Sequence, residues 1–577
     1  MTSIRITNFG GMRKRNSRGL QDPVTASLAK DVKLWHGTVA AWRYPAKFIE
    51  TDLSQICNIS KLDCSYVVSS DPCESFTFDP QCRRVFRSTP DQPLRWAILP
   101  EETQCESVAD LDWFELGVAA PPNIPQITAT DPLTPRQGDN QVDYSHQFDR
   151  ESRTYGITYV NSLGEESSMT VNPEPVDVDT SGSATIEFFN PAALQDQYDI
   201  VAIRVYRGLA VHQNQIVDQS NPDAPSSSGF FFVDEFDFVP GEVTFVDDLD
   251  AEDIGEMYVQ HSADVPEIGL ENITMTDSGS LVASKGKHLW FSEPFNYHAW
   301  NCFMNFDHCI EAIGVVGNSI YLATNGNAYV LNDTVNQDEC RCCRTVATIN
   351  EPTPIACRKS FVVTPTGVIF ATNTGLVRIT GEGMQYISLG FYGEDQWGEW
   401  MPHNLTGAYY KGSYFGFNGH KSFIYDVSEG YYASRNVGEQ SMFTELSLTP
   451  DAVFVTKQNE LVMSFQGDLF KWDESDVLLP YTWRSRLNVE GGTTNLGYGK
   501  VVFEDYIGRR PVPNPVMFRL YADDRKVYER RVSDSTIFTL PRGYDALNYE
   551  LEIEGIQTVM EIHLASTKRE LTLLNNV

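Results

Sequence analysis

Positive charge is scarce in this sequence. Its 577 residues hold 44 Lys and Arg against 78 Asp and Glu, a formal balance of −34. Tight nucleic-acid binding needs clustered cations that displace counterions, so the balance argues against a protein whose main task is gripping phosphates. A wall past which DNA slides can well be acidic. Long apolar runs are missing too: none approaches the roughly 20 residues that cross a bilayer, and no membrane span is expected. Arg5, Arg13, Lys14, Arg15 and Arg18 are followed by no apolar stretch, so no signal peptide is expected either. Synthesis in the cytosol follows, and the odd number of cysteines, 11, then reads as reduced thiols rather than a disulfide framework. Helical periodicity is nearly absent, with one short helix expected over residues 24–33. Catalytic signatures are absent as well: no G-x-S-x-G, H-E-x-x-H, Walker A or strand-flanked G-x-G-x-x-G occurs. No catalytic, cofactor-binding or metal residue is therefore assigned, and the chain is not expected to be an enzyme.

The charges present are unevenly spread. Residues 1–50 carry nine Lys or Arg and three acids, a local +6. This reads as a basic arm whose Arg13, Lys14, Arg15 and Arg18 seek an acidic neighbour or nucleic-acid phosphates, ordering only at an interface. Between Arg207 and Lys285 there is no cation and there are sixteen acids. A stretch such as this, densest at Asp247, Asp248, Asp250, Glu252 and Asp253, must sit in solvent, face a partner's cations or bind a metal. Their spacing does not meet the EF-hand pattern, so calcium is the weaker reading. Cys340, Cys342 and Cys343 with Cys357 form the densest thiol cluster, near Cys302, His308 and Cys309. The C-x-C-C spacing is not a zinc pattern, and free cysteines packed in or between strands are expected.

What the chain has in abundance is β signal. At about 150 residues per domain, its length suggests about four domains. Runs of Val, Ile, Tyr, Phe and Thr bounded by Gly, Asn, Asp and Pro recur from Tyr155 onward. Five units repeat a strand, a Gly-containing turn and a second strand: they start at Leu281, Ile320, Val368, Tyr414 and Leu461, with spacings of 39, 48, 46 and 47 residues. Blades of a β-propeller recur every 40 to 50 residues or so, with hairpins stacked around an axis. The fold class is therefore all-β: a β-propeller over 257–478, clearest over 280–474. Residues 51–120 supply the strands that complete the propeller or a platform, because an open ring would expose an edge. The Pro121-Pro122-Asn123-Ile124-Pro125 linker opens a β-sandwich over 121–256, inserted into the propeller. Residues 479–577, with Tyr549, Leu551 and Ile553 alternating with Glu550, Glu552 and Glu554, read as a C-terminal β-sandwich or platform.

Two resemblances attach to particular residues. The order Ile157-Thr158-Tyr159-Val160-Asn161 through Gly164-Glu165-Glu166-Ser167 to Arg204-Val205-Tyr206-Arg207 resembles fibronectin type III or Ig-like modules over about 130 residues. A second is carried by three regions in order. The first is Thr7-Asn8-Phe9-Gly10-Gly11-Met12 with 29–37. The second is 279–284 with Leu289-Trp290-Phe291-Ser292-Glu293-Pro294 and His298-Ala299-Trp300. The third is Tyr481-Thr482-Trp483-Arg484-Ser485 with Leu520-Tyr521-Ala522-Asp523 and Leu540-Pro541-Arg542-Gly543. Together these resemble tail tube or nozzle proteins of short-tailed, podovirus-like bacteriophages, over most of the chain. The resemblance implies a virion protein of the phage tail, assembled in the host bacterial cytoplasm as a homo-oligomeric, hexameric ring below the portal, and with it an acidic wall or subunit contact at Asp247, Asp248, Asp250, Glu252 and Asp253, the other reading being a solvated acidic surface. It implies as partners the portal adaptor or head-tail connector, tail fibre and tail needle or plug proteins, and genomic DNA passing through without sequence-specific binding. The alternative from another class is a carbohydrate-binding or glycan-degrading propeller adhesin of a phage tail. A catalyst of that kind needs paired carboxylates, and the sialidase Asp-box is met only by Asp277-Ser278-Gly279.

Overall fold

The structure is a computed structural model. It describes residues 3–15, 24–62, 65–101, 104–129, 150–179, 182–208, 229–250, 253–259, 265–300, 302–334, 344–427, 442–504 and 511–573. Seven small, antiparallel-dominated sheets are arranged as blades whose innermost strands neighbour one another in a closed ring. In chain order these inner strands are Asn58–Leu62, Ser75–Asp79, Glu271–Met275, Ile310–Val316, Val362–Thr364, Thr406–Tyr410 and Ala452–Val455. They define blades 1 to 7. The all-β propeller class expected from the repeat is the observed one.

The repeated hairpins are the second and third strands of blades 3 to 7, for example Leu281–Lys285 with His288–Phe291 and Leu461–Phe465 with Asp468–Lys471. They stand one strand out from the axis rather than at it. Packed between neighbouring blades, strands such as Gly367–Ala371 and Ser413–Phe417 are buried at every position, which is why they are apolar throughout instead of alternating. By contrast Val516–Ala522 alternates buried and half-buried, as a sheet with one wet face should.

The ring is closed by sequence-distant strands. Blade 7 takes its outermost strand, Ala46–Ile49, from near the N-terminus, where it pairs with Asp468–Lys471. Gly467 makes this closure possible. Its φ is +87°, and a Cβ there would lie 1.7 Å from the Leu53 carbonyl oxygen, while Thr51 Oγ1 donates to the Gly467 carbonyl at 2.6 Å. Blade 6 continues outward: its strand Met442–Leu446 meets Ala26–Lys30, which pairs with Tyr481–Ser485, then Ala546–Gly555, Val516–Ala522 and Arg525–Val532. A second sheet over this extension joins Ser3–Ile6 to Val559–Ala565. The C-terminal platform is thus woven from both chain ends.

Two expectations are corrected here. Residues 24–33 form the strands Ala26–Lys30 and Val32–Lys33, not a helix, because Ala26 and Ala29 are needed in the shared core of platform and propeller. The described part of the N-terminal segment packs against its own chain: Gly11 lies so close to the Phe443 backbone that a Cβ would sit 2.6 Å from its nitrogen. Not all cysteines are reduced thiols: Cys302 is disulfide-bonded. Cys57, Cys73, Cys82, Cys105, Cys309 and Cys357 are free.

The sandwich leaves the chain between blades 2 and 3. One sheet is ordered Gln126–Ala129, Ala184–Asn190, Gly241–Asp247; the other holds Arg150–Asn161, Ile200–Gly208 and Phe230–Asp237. Val118 and Val265 pack with its core, so it reaches somewhat past both boundaries read from the sequence. Among the described residues no helix is long and apolar enough to cross a membrane.

Candidate functional site

Three charged centres organise the molecule, and the first bridges the propeller axis. Just before the inner strand of blade 5, the single turn Arg358–Ser360 presents two cations. Arg358 Nη1 lies 3.4 Å from Glu271 Oε2 of blade 3, and its Nη2 donates to Ser75 Oγ of blade 2. Lys359 Nζ reaches the Cys57 carbonyl beside blade 1 at 3.4 Å. In a ring of seven, blades 1 and 2 stand opposite blade 5, so these side chains cross the axis. Burial lowers the Arg358 pKa, and Glu271 opposes that shift. Further along, the inner strands of blades 5, 6 and 7 surround a cavity of about 950 Å³, lined by Phe361, Val363, Tyr409 and Phe454 with Lys411 and Lys457.

The second centre joins sandwich to propeller. The turn after Arg150–Asn161 carries Glu165, whose carboxylate accepts both Arg84 Nη groups, at 2.5 and 3.1 Å. Asn161 Nδ2 adds a bond at 2.8 Å. His298 Nδ1, in the loop of blade 3 between the strands His288–Phe291 and Cys302–Asn305, stands 3.6 Å away, beyond hydrogen-bond length yet within reach of charge. Burial pushes the Glu165 pKa up, but His298 and the Arg84 guanidinium outweigh it and hold the carboxyl at about 2. Arg84 is itself sandwiched by aromatic rings, 4.3 Å from the Trp96 centroid and 5.0 Å from that of Phe86. A fork-shaped guanidinium suits this double role better than an ammonium.

The third centre lies inside the sandwich and overturns part of the acidic-wall expectation. Asp247 is 1% exposed. Its Oδ2 accepts Tyr155 Oη at 2.6 Å and Arg207 Nη1 at 3.1 Å, with Arg153 Nη1 at 3.9 Å. Burial, then the Asp247 charge, drives the Tyr155 pKa well up. Arg207 also donates to the Leu249 and Asp250 carbonyls, so two arginines hold the acidic loop. Asp247 is a core counterion, since an unpaired carboxylate at that depth would be prohibitively costly. Asp248, Asp250 and Asp253 are exposed; Glu252 lies outside the described residues. No group of three or more His, Cys, Asp or Glu side chains that could hold a metal ion occurs among the described residues.

The cations of the basic arm find partners in their own chain. Arg13 lies over the Phe391 ring at 5.1 Å, Lys14 pairs with Glu445 at 3.0 Å, and Arg15 donates to the Leu389 carbonyl. Arg18, and Cys340, Cys342 and Cys343 of the thiol cluster, lie outside the described residues. Arg84, Glu271, Arg358 and Lys359 are not singled out in the sequence, and Glu165 is named there only within the module resemblance. No local pattern marks them, since each gains its role from a partner between 81 and 302 positions away.

No family model matches the chain, and no curated protein matches it. Solved structures with some likeness are propellers. One is the WD40 domain of Neurospora crassa Pan2, 7% identical, covering 48% of this chain and 87% of that one with a TM-score of 0.25. Another is Hsv2 of Kluyveromyces lactis, 10% identical, covering 39% of this chain and 66% of that one with a TM-score of 0.23. The fold assignment rests on the strand pairing described above.

Proposed function

We propose that this chain is a structural, non-catalytic protein of a short-tailed bacteriophage virion, a subunit of the ring-shaped tail tube or nozzle through which DNA leaves the particle. The motif order from residue 7 to residue 543 supports the reading, and the observation that carries it furthest is the bridged axis. With Arg358 and Lys359 crossing from blade 5 to blades 1 and 2, a single propeller cannot pass a duplex about 20 Å wide. A conduit built from this chain has its lumen between copies, with each propeller as a wall block braced by Arg84 and Glu165. An acidic wall repels the duplex and keeps it from sticking, over the Debye length of about 8 Å at physiological salt. Neighbours in such a tail are the portal adaptor and the fibre or plug proteins.

Electron microscopy of the purified full chain, concentrated at low salt, tests this. Closed rings, hexameric by expectation, with a lumen at least ~20 Å across are expected. Particles that stay single at every concentration and salt would overturn the reading. The axial cavity beside Phe361 and Tyr409 favours one second reading, a glycan-binding propeller of a phage tail. Turnover of a host polysaccharide, abolished by one Asp or Glu substitution at the axis, would install that reading instead.

A further inference from the structure

The chain carries two open strand edges of opposite charge. In the sandwich, Phe230–Asp237 is the last strand of one sheet and Gly241–Asp247 the last of the facing sheet, so together they form one flank. The first half of Phe230–Asp237 is already covered: Gly255 N donates to the Phe232 carbonyl and Tyr258 N to that of Phe230, both at 2.7 Å. Over residues 233–237, pairing among the described residues is on one side only. Exposed acids crowd this flank: Asp234, Glu235, Asp237 and Glu242, with Asp248 and Asp250 just beyond. Glu235 is bonded to Arg204. Among the described residues Asp237 and Glu242 have no cation partner.

At the far end of the ten-stranded sheet, Arg525–Val532 is likewise an edge among the described residues. It exposes Arg525, Lys526, Arg530 and Arg531 against a single acid, Glu529, which Lys526 and Arg519 engage. Arg525 and Arg531 have no acidic partner among the described residues. On a chain of net charge −34 this is a conspicuous place for four cations.

An open edge is a template for a further strand, and charges on it decide which strand is accepted. Two acidic flanks repel each other, as do two basic edges, so each blocks pairing with its own kind. The unlike combination is attractive. We propose that residues 233–242 of one copy dock against the Arg525–Val532 edge of the next. The contact joins different surfaces of identical chains, so it repeats head to tail and closes into a ring when its rotation divides a full turn. This deepens the tube reading, and rests on it, by naming the surfaces that join the subunits.

Charge exchange between full-length variants tests the contact. The first variant, Arg525→Glu with Arg531→Glu, has two acidic edges; the second, Asp234→Lys with Asp237→Lys and Glu242→Lys, leaves Glu235 as the one acid of residues 233–242 and has two basic ones. None of these five side chains takes part in the buried centres, and circular dichroism confirms that each variant is folded. In analytical ultracentrifugation at low salt, the wild type is expected to associate, and each variant alone to associate at least ~100-fold more weakly, since like charges are brought together. An equimolar mixture should regain association, because each variant's altered edge complements the other's. Raising the salt should weaken the wild-type assembly. Wild-type rings that neither variant disturbs would overturn this contact while leaving the tube reading in place. A wild type that never associates would overturn both. A mixture no better than either variant would show that the charges act separately, and would also overturn the pairing.

Discussion

Asp247, fully buried, and Glu165, largely shielded, are both carboxylates facing arginine, yet they do different work. Asp247 sits within one module, between Arg153, Arg207 and Tyr155, and its partners hold a loop of the same sandwich. Glu165 sits between modules, where Arg84 comes from blade 2 and His298 from a loop within blade 3. The first centre is a condition for the sandwich to fold; the second decides how the folded sandwich is held. Identical chemistry therefore has a local consequence in one place and an architectural one in the other. Removing one side of a buried pair separates the two cases, because it leaves an uncompensated charge whose surroundings either can or cannot rehydrate.

The largest effect is expected from Asp247→Ala, which strands two arginines in the sandwich core. A loss of about 3–5 kcal/mol is expected for that module. Hydrogen exchange should show the strands Arg150–Asn161 and Ile200–Gly208 losing protection while the blades keep theirs. Equal loss in both modules would erase the distinction.

Glu165→Gln comes next, costing about 2 kcal/mol through the weakened charge-assisted bonds. Its signature is qualitative: calorimetry should resolve separate transitions for sandwich and propeller where the parent shows coupled ones. A simple downward shift of a single transition would make Glu165 a stability residue like Asp247.

Acid titration sharpens the same point. The Glu165 pKa falls from an ordinary 4.5 to about 2 on folding. A depressed carboxylate pKa contributes stability that is fully present above pH ~4.5 and is lost as pH falls toward 2. Separation of the modules is therefore expected in that window, and the Gln variant should show a flatter dependence there.

The smallest effect belongs to Lys14→Ala. Its pairing with Glu445 is at the surface, with the Lys14 side chain 41% exposed, and such pairs contribute about 0–1 kcal/mol. A shift in melting temperature near the limit of measurement is expected. A large one would place the N-terminal cations alongside the buried centres.

Much of the architecture was legible because it is periodic. The blade hairpins announce themselves through strand composition, glycine turns and near-constant spacing, all local properties. Val362–Thr364, the inner strand of blade 5, did not announce itself: three residues are too short for a pattern. The strands Ala26–Lys30 and Ala46–Ile49 were equally hidden, because their place depends on pairing partners more than 400 positions away. Charge was the least legible feature. Arg13, Lys14 and Arg15 stood out in the sequence and are used within the chain, whereas Arg525, Arg530 and Arg531 drew no attention and are exposed on an edge.

The amino-acid order alone determined the all-β character, the blade repeat, the sandwich insertion and the acidic balance, since these follow from composition and from contacts between near neighbours. Only the tertiary structure decided which charges are buried and which are open, how the ring closes on Ala46–Ile49, and that Arg358 and Lys359 bridge the axis. The reason is physical. The cost of a charge depends on its distance from water and from an opposite charge, and both distances are properties of the assembled fold rather than of any stretch of chain.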